Sequence, residues 1–286
     1  PMIQSMTGYG KHVIQLPTKK ITVEIKSLNS KSLDINTRVP SSYRQKELNI
    51  RKLLASGLTR GKIDLNLFVE STGEQTATKI NETTLRQYMG QLSEVVAADQ
   101  IELLKMAVKM PDAFKTEREE IDEDEFSEIL KAVTQALVEI NIYRTDEGEV
   151  LKNDFLQRIA IIGKHLEEVL VIDSQRIDGV KQRLRSAVSD LKEKVDENRF
   201  EQELIYYLEK YDITEEKVRL ENHLSYFKEA IHSDDSNGKK LGFITQEIGR
   251  EINTIGSKSN FAPMQQLVVQ MKDELEKIKE QALNVL

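Results

Sequence analysis

The chain has 286 residues, enough for one large domain or two ordinary ones, and its lack of cysteine excludes disulfides, thiolate metal sites and cysteine nucleophiles. Its net charge of −7 would argue against nucleic acid if it were evenly spread, but residues 1–70 carry 12 Lys and Arg against 5 Asp and Glu. The remainder carries 29 Lys and Arg against 43 Asp and Glu, so a basic segment precedes an acidic one. The basic segment is suited to phosphate backbones, and the carboxylates of the acidic segment are suited to divalent cations.

The basic segment predicts a small, strand-rich α+β domain over residues 2–70. Ser41 or Ser42 should cap a helix in this domain that runs to about Gly57. Alternation of apolar and polar residues is typical of half-buried strands. It predicts strands at residues 20–26 and 62–70, and shorter strands are expected near residues 5–14 and 33–39.

Residues 71–80, rich in Ser, Thr and Gly, predict a linker, after which Asn81 should open a helix. The N-terminal domain would extend with such helices to about residue 146. No proline lies between Pro111 and Pro263. Because proline is the strongest helix breaker, long helices are expected throughout that interval.

The acidic part predicts an extended helical hairpin over residues 147–197, followed by a helical domain over 198–286 with a loop at 233–238. Apolar residues recur at spacings of 3 and 4 in two successive stretches, which is typical of helices that pair along a narrow seam. A turn near residues 172–174 would fold one stretch onto the other, which we prefer to a dimeric coiled coil. The two stretches are Phe155, Ile159, Ile162, Leu166 and Val169, and then Ile177, Val180, Leu184, Ala187, Leu191 and Val195.

The stretch 238–260 carries the most promising reactive side chains. On a helix, Glu247 and Glu251 would border a stripe of Leu and Ile. Two carboxylates one helical turn apart on a half-buried face repel each other, so something positive should lie beside them, either a divalent metal or an arginine. Ser257 and Lys258 would end this row with groups suited to a phosphate oxygen.

A second cluster lies in the preceding helices. Residues 212–215 resemble a capping box, and Glu216, Arg219 and His223 would share one side of the helix that it opens. Glu203 offers a further carboxylate upstream. Phosphodiester cleavage needs such groups, because a cation must take up charge on phosphate oxygens and a base or activated water must attack. The alternative is that these side chains are salt-bridged ties between helices.

Seven motifs follow one another in a fixed order along nearly the whole chain. They are M-I-x-S-M-T-G-Y-G at 2–10, S-L-N-S-K-x-L-D at 27–34, L-T-R-G-K at 58–62, R-T-D-E-G at 144–148, N-R-F-E-Q-E at 198–203, D-I-x-E-E-x-x-R-L-x-x-H at 212–223 and Q-E-x-x-R-E-x-N-T-x-x-S-K at 246–258. This ordered set resembles the YicC family of bacterial proteins, which are metal-dependent endoribonucleases.

The resemblance implies cleavage of RNA by a homo-oligomer, expected to be a hexamer, that uses Mn²⁺ or Mg²⁺ and no organic cofactor. Together with the side-chain chemistry it predicts the catalytic residues Glu203, His223, Glu247, Glu251, Arg219 and Arg250. Four of these, with oxygen or imidazole donors, would hold the metal: Glu203, Glu247, Glu251 and His223. The residues expected to hold the RNA are Lys26, Asn29, Lys31, Arg38, Arg60, Lys62 and Lys258.

Three positions depart from the family pattern. Gly242 stands where an acidic residue is usual, Gly249 where a bulkier residue is usual, and Lys31 where arginine is usual. Each glycine, if it lies inside a helix, would weaken that helix by about 1 kcal/mol relative to alanine. The competing functional interpretation is a non-catalytic RNA-binding or adaptor protein in RNA turnover, in which the same charges grip RNA without cutting it.

No apolar run approaches the roughly 20 residues needed to cross a bilayer, and the N-terminus lacks the basic-then-apolar pattern of a signal peptide. We therefore expect a cytoplasmic protein that does not associate with membranes.

Overall fold

The computed structural model describes residues 3–73, 78–116, 121–190, 196–233 and 238–286. It confirms the predicted α+β class, because a sheet-containing N-terminal part precedes a long helical part. The strands are β1 (Gly8–Gln15), β2 (Lys19–Leu28), β3 (Leu33–Arg38), β4 (Gly61–Ser71), β5 (Thr78–Ile80) and β6 (Phe114–Thr116). The helices are α1 (Glu47–Gly57), α2 (Glu82–Val95), α3 (Gln100–Ala107), α4 (Glu123–Asp190), α5 (Glu197–Lys210), α6 (Thr214–His232), α7 (Gly238–Lys258) and α8 (Ala262–Ala282).

The N-terminal sheet has the strand order β1-β2-β4-β3, with β3 parallel to β4 and the other neighbours antiparallel. All four strands predicted for this domain are confirmed. The helix predicted to begin at Ser41 or Ser42 is divided into a 3-10 turn over Ser41–Lys46 and the helix α1, which ends at Gly57 as predicted. One sheet face packs against α1 and the start of α4. The inward residues of the two central strands are Ile21, Val23, Ile25, Ile63, Leu65 and Leu67.

Two motif glycines allow α4 to approach its neighbours closely. A Cβ atom at Gly10 of β1 would lie 2.2 Å from the carbonyl oxygen of Ala136, and one at Gly148 would lie 1.9 Å from that of Ile3. Between these two contacts the buried Arg144 donates hydrogen bonds to the Met6 and Arg60 carbonyls and to a serine of β2. The glycine and arginine motifs near the N-terminus and the chain centre therefore serve the fold.

The predicted linker contains a strand at its end. The strand β4 ends at Ser71 and β5 begins at Thr78, where it pairs with β6, while residues 74–77 lie outside the described part of the chain. The helix α2 then follows Asn81, whose side-chain oxygen accepts from the Thr84 N–H. This confirms the prediction that Asn81 opens a helix.

The predicted helical hairpin is wrong. Residues 172–174 form no turn, because α4 runs without a break from Glu123 to Asp190. The first apolar stretch, from Phe155 to Val169, packs instead against α6 and α8, in a core to which α7 also contributes. The stretch around 172–174 contains no proline or glycine that would end a helix. Two residues of the second stretch, Leu191 and Val195, lie outside the described residues.

The helix α4 joins two separate cores. Its residues Phe126–Ile140 pack against the N-terminal sheet, and Phe155–Val169 pack in the C-terminal core. The boundary between the two cores therefore falls within α4, between Ile140 and Phe155. The sequence placed the end of the N-terminal domain in the same region, at about residue 146. The two chain ends also meet, since Ser5 forms a β-bridge with Val285.

The C-terminal core is built on α6, α7 and α8. The helix α6 ends at His232 and α7 begins at Gly238, as the predicted loop between them requires. Residues 234–237 of this loop lie outside the described part of the chain. Both unusual glycines, Gly242 and Gly249, lie inside α7. In the described ranges, no helix combines the length and apolar character needed to cross a membrane.

Candidate functional site between α6 and α7

The helices α6 and α7 pack on their apolar stripes and so bring the two predicted clusters together. Both apolar stripes are buried, and the polar residues that flank them lie along the contact between the two helices. The buried residues are Leu220, Leu224, Phe227 and Ile231 of α6, and Leu241, Ile244, Ile248, Ile252 and Ile255 of α7. The two clusters of charged side chains, one on α6 and one on α7, therefore lie close together, as expected from the sequence.

Glu251 is the most buried acidic residue of this border, with only 4 % of the residue exposed. Its burial raises the pKa of the Glu251 carboxyl above the ordinary value, because a charged group loses hydration there. Arg219 and His223 lower the pKa of Glu251, and the carboxylates of Glu216 and Glu247 raise it further. Five of the side chains from the two clusters thus lie within electrostatic reach of one another.

Glu216 is a residue of this site that the predicted set omitted. It is 5 % exposed, and its Oε1 atom lies 2.8 Å from the Nζ atom of Lys258 at the end of α7. Its Oε2 atom is buried and accepts no hydrogen bond among the residues of the described ranges. The sequence placed Glu216 on the same side as Arg219 and His223, but the periodicity gave no sign that Lys258 would reach it.

The two predicted arginines lie at the solvent side of the site. Arg219 is exposed and pairs with Glu215, one turn earlier on α6. Arg250 is exposed as well, and its Nη1 atom lies 3.4 Å from Oε2 of Glu247. Glu215 therefore does not close the predicted capping box. The other half does not form either, because Ile213 is the N-cap of α6 and Asp212 accepts from the Thr214 N–H instead of the Glu215 N–H.

Glu203 lies apart from this cluster. It is exposed on α5 and lines a cavity of about 250 Å³ whose wall is formed by α4 and α5. The helix α5 contacts the last turns of α4, so it does not carry Glu203 to the border of α6 and α7. Across the described ranges, no three Asp, Glu or His side chains lie close enough together to hold one metal ion. The predicted set of Glu203, His223, Glu247 and Glu251 is therefore not assembled in this chain.

A smaller donor set still fits a divalent cation. Mg²⁺ usually keeps several waters and is held by one or two carboxylates together with the phosphates of a substrate. Glu247 and Glu251 can supply two such carboxylates from one helix face. Glu251 is buried near Glu216, and one oxygen of Glu216 accepts no hydrogen bond from the described part of the chain. A bound cation would balance the negative charge of these two carboxylates.

The residues expected to hold RNA fall into two groups. Lys26, Lys31, Arg38 and Lys62 are exposed in the N-terminal domain, and Lys26 lies 5.9 Å above the ring of Tyr9. The other three make contacts within the chain. Asn29 donates to the Leu283 carbonyl, Arg60 donates to the Ser30 carbonyl, and Lys258 pairs with Glu216.

Comparison with known proteins places the chain in a family. The model for the N-terminal region of the YicC-like endoribonucleases matches residues 3–153, and the model for their C-terminal region matches residues 169–286. A protein named probable endoribonuclease YicC from Clostridioides difficile is 36 % identical over 293 residues, covering 99 % of this chain and all of the relative. One of the same name from Haemophilus influenzae is 28 % identical over 287 residues, with the same coverage. This chain therefore belongs to the YicC-like endoribonuclease family.

Proposed function

We propose that the chain is an endoribonuclease that cuts RNA with the help of Mg²⁺ or Mn²⁺ at the carboxylates between α6 and α7. The observation that carries the proposal is the burial of Glu251 among Arg219, His223, Glu216 and Glu247. Carboxylates and cations at the border of a packed helix pair form a site where charge on a phosphate can be balanced. The names of the two relatives support RNA cleavage as the reaction.

The side chains of the site have separate roles in this proposal. Glu247 and Glu251 would hold the cation, which when bound supplies positive charge to the scissile phosphate. Arg219 and Arg250, both exposed, bind the phosphate oxygens and orient the RNA backbone. His223 is half-buried beside Glu251 and moves a proton to or from the reacting oxygens.

Lys258 holds Glu216 in place through the 2.8 Å ion pair. This contact leaves the ammonium at the edge of the carboxylate cluster, where it can also meet the backbone of an RNA chain. The exposed cations of the N-terminal domain, including Lys26, Lys31, Arg38 and Lys62, would extend the surface along which the RNA lies. Asn29 and Arg60 support that surface through their contacts within the chain.

We also propose that the chain works as a homo-oligomer, a hexamer in the form that the family resemblance suggests. The outer face of α4 supports self-association, because several large apolar side chains are exposed along it. Such clusters on a protein surface commonly mark contacts between chains. They are Val138, Ile142, Tyr143 and Val150. Light scattering coupled to size-exclusion chromatography tests this, and a monomeric mass at micromolar concentration would contradict it.

Incubation of the purified chain with end-labelled RNA tests the reaction itself. We expect internal cuts with Mg²⁺ or Mn²⁺ and none after the cation is removed with EDTA. If the chain binds the RNA but leaves it intact under both conditions, the non-catalytic adaptor interpretation is correct instead. Binding alone cannot decide between them, because both readings expect tighter binding at low salt.

A further inference from the structure

A second cavity lies next to the candidate cleavage site, between α4, α5 and the end of α7. Its volume is about 330 Å³, which is within the usual range for small-ligand pockets. Leu184 contributes to an apolar part of its wall. The polar and aromatic part of the wall comes from Arg176, Arg183, Lys258, Tyr207 and Tyr211.

The charges around this cavity favour an anion. Three of its lining side chains are cationic, and none of the lining residues in the described part of the chain is Asp or Glu. A phosphate group would meet Arg183 and Lys258 at the open side, where Arg183 is exposed and Lys258 is partly exposed. Arginine is well suited to this role, because its planar group can donate two parallel hydrogen bonds to phosphate oxygens.

Arg176 supplies a buried donor in the same wall. Only 2 % of this residue is exposed, and its Nε atom donates to Asp173 at 2.8 Å while Nη1 donates to the Lys258 carbonyl at 3.3 Å. The Nη2 atom also lies 2.8 Å from an Asp173 oxygen, but it is not oriented to form a hydrogen bond. Asp173 and the Lys258 carbonyl therefore hold the guanidinium in the cavity wall, where its positive charge adds to those of Arg183 and Lys258.

The tyrosines give the cavity a surface for a flat ring. Tyr207 lies in the last turn of α5 and Tyr211 directly follows this helix, with the two rings inclined by only 14° and their centroids 6.2 Å apart. The bases of single-stranded RNA are recognised largely by stacking on aromatic side chains and on arginine planes. Aromatic faces beside three cations therefore match a nucleotide better than they match an uncharged apolar ligand.

We propose that this cavity binds one nucleotide of a single-stranded RNA next to the bond that is cut. Lys258 connects the two sites, because it lines the cavity and also pairs with Glu216 of the carboxylate cluster. The proposal rests on the proposed function in so far as RNA is the substrate. It adds a binding site, formed by Arg176, Arg183, Tyr207 and Tyr211, that lies outside the set of residues proposed to carry out the cleavage.

Arg183 and Arg185 provide a matched pair for the test. Both are exposed on α4 two residues apart, but only Arg183 lines the cavity. The probe is a fluorescein-labelled 12-nucleotide single-stranded RNA, titrated by anisotropy with the full-length chain carrying Glu251→Gln, so that cleavage does not interfere. Arg183→Ala should weaken binding at least about fivefold and reduce the salt slope by about 0.7, whereas Arg185→Ala should change the affinity less than about twofold. Equal effects of the two substitutions would overturn the proposal.

The aromatic contact is tested separately. Tyr211→Leu should weaken binding at least about fivefold without changing the salt slope, and Tyr211→Phe should bind as the parent does because the ring is kept. If the Tyr211→Leu variant does not fold, the aromatic contact is tested instead by photo-crosslinking an RNA that contains 4-thiouridine to the parent chain. Adducts on the peptide with Tyr207 and Tyr211 support the proposal, and adducts confined to other peptides contradict it. An unaltered chain that cuts no RNA would refute the proposed function, whereas these binding results decide the cavity independently.

Discussion

The Nζ atom of Lys258 lies 2.8 Å from the Oε1 atom of Glu216, so the last residue of α7 is tied to the first turns of α6. The side chain of Glu216 is 7 % exposed, whereas the side chain of Lys258 is 32 % exposed. The pair lies between the carboxylate cluster and the cavity lined by the tyrosines. The ion pair therefore holds the end of α7 against the start of α6, at the edge of the candidate site.

Replacing Lys258 should destabilise the chain. Lys258→Met leaves the buried Glu216 without its cation, and we expect the free energy of unfolding to fall by about 1–3 kcal/mol, since one partner of the pair is still partly in water. Lys105→Met is the control, because Lys105 forms an exposed pair with Glu102 and its loss should leave the unfolding midpoint nearly unchanged. Chemical denaturation measures both. Equal midpoints for the two variants would refute the structural role of the pair.

The burial of Glu251 predicts a particular dependence of stability on pH. Because its pKa is raised above the ordinary value of 4.5, the folded chain binds more protons than the unfolded chain between that value and the folded pKa. The stability contributed by the protonated carboxyl is present below pH 4.5 and is lost as the pH rises through the folded pKa. Glu251→Gln stays neutral, so its stability relative to the unaltered chain should improve as the pH rises from 4 to 7.

Urea denaturation without added divalent cations at a series of pH values measures this difference. Glu221→Gln, an exposed position on α6, is the control and should show no such trend. A Glu251→Gln variant that loses relative stability towards neutral pH would show that the charged carboxylate is stabilised by its neighbours more than it is penalised by burial.

The two unusual glycines of α7 should respond differently to substitution. A Cβ atom at Gly242 would meet no atom within 4 Å, whereas one at Gly249 would lie 3.2 Å from a side-chain carbon of Leu275 on α8. Gly242→Ala should therefore raise the free energy of unfolding by about 1 kcal/mol, through helix propensity alone. Gly249→Ala should gain less or be destabilising, because Leu275 has to move. Equal gains in thermal unfolding would contradict this packing.

The N-terminal sheet was predictable because its strands alternate cleanly and one of their faces is buried. The predicted hairpin failed for a physical reason that periodicity cannot reveal. Apolar residues from Phe155 to Val169 mark a face to be buried, but they do not say whether the partner is the next stretch of chain or a set of distant helices. Only the lack of a helix-breaking residue near 172–174 favoured the continuous helix α4.

The candidate site was partly predictable. Helical spacing placed Glu247 and Glu251 on one side of α7, and Arg219 and His223 on one side of α6, and packing of the apolar stripes then brought the two pairs together. Glu203 was grouped with them by its motif, yet the path of α5 follows α4 and leads away from the cluster. Tyr207 and Tyr211 were missed, because their stacked rings come to lie beside cations only once α5 packs against α4.

Cleavage of labelled RNA by Glu251→Gln tests the central claim most directly. The substitution keeps the size and packing of a residue that is only 4 % exposed but removes the charge of its side chain. We predict that, with Mg²⁺ or Mn²⁺ present, the cleavage rate falls by at least about 100-fold while RNA affinity and oligomeric mass stay unchanged, and that Glu221→Gln cuts like the unaltered chain. If Glu251→Gln cuts RNA at the unaltered rate, the site between α6 and α7 is not where the reaction takes place.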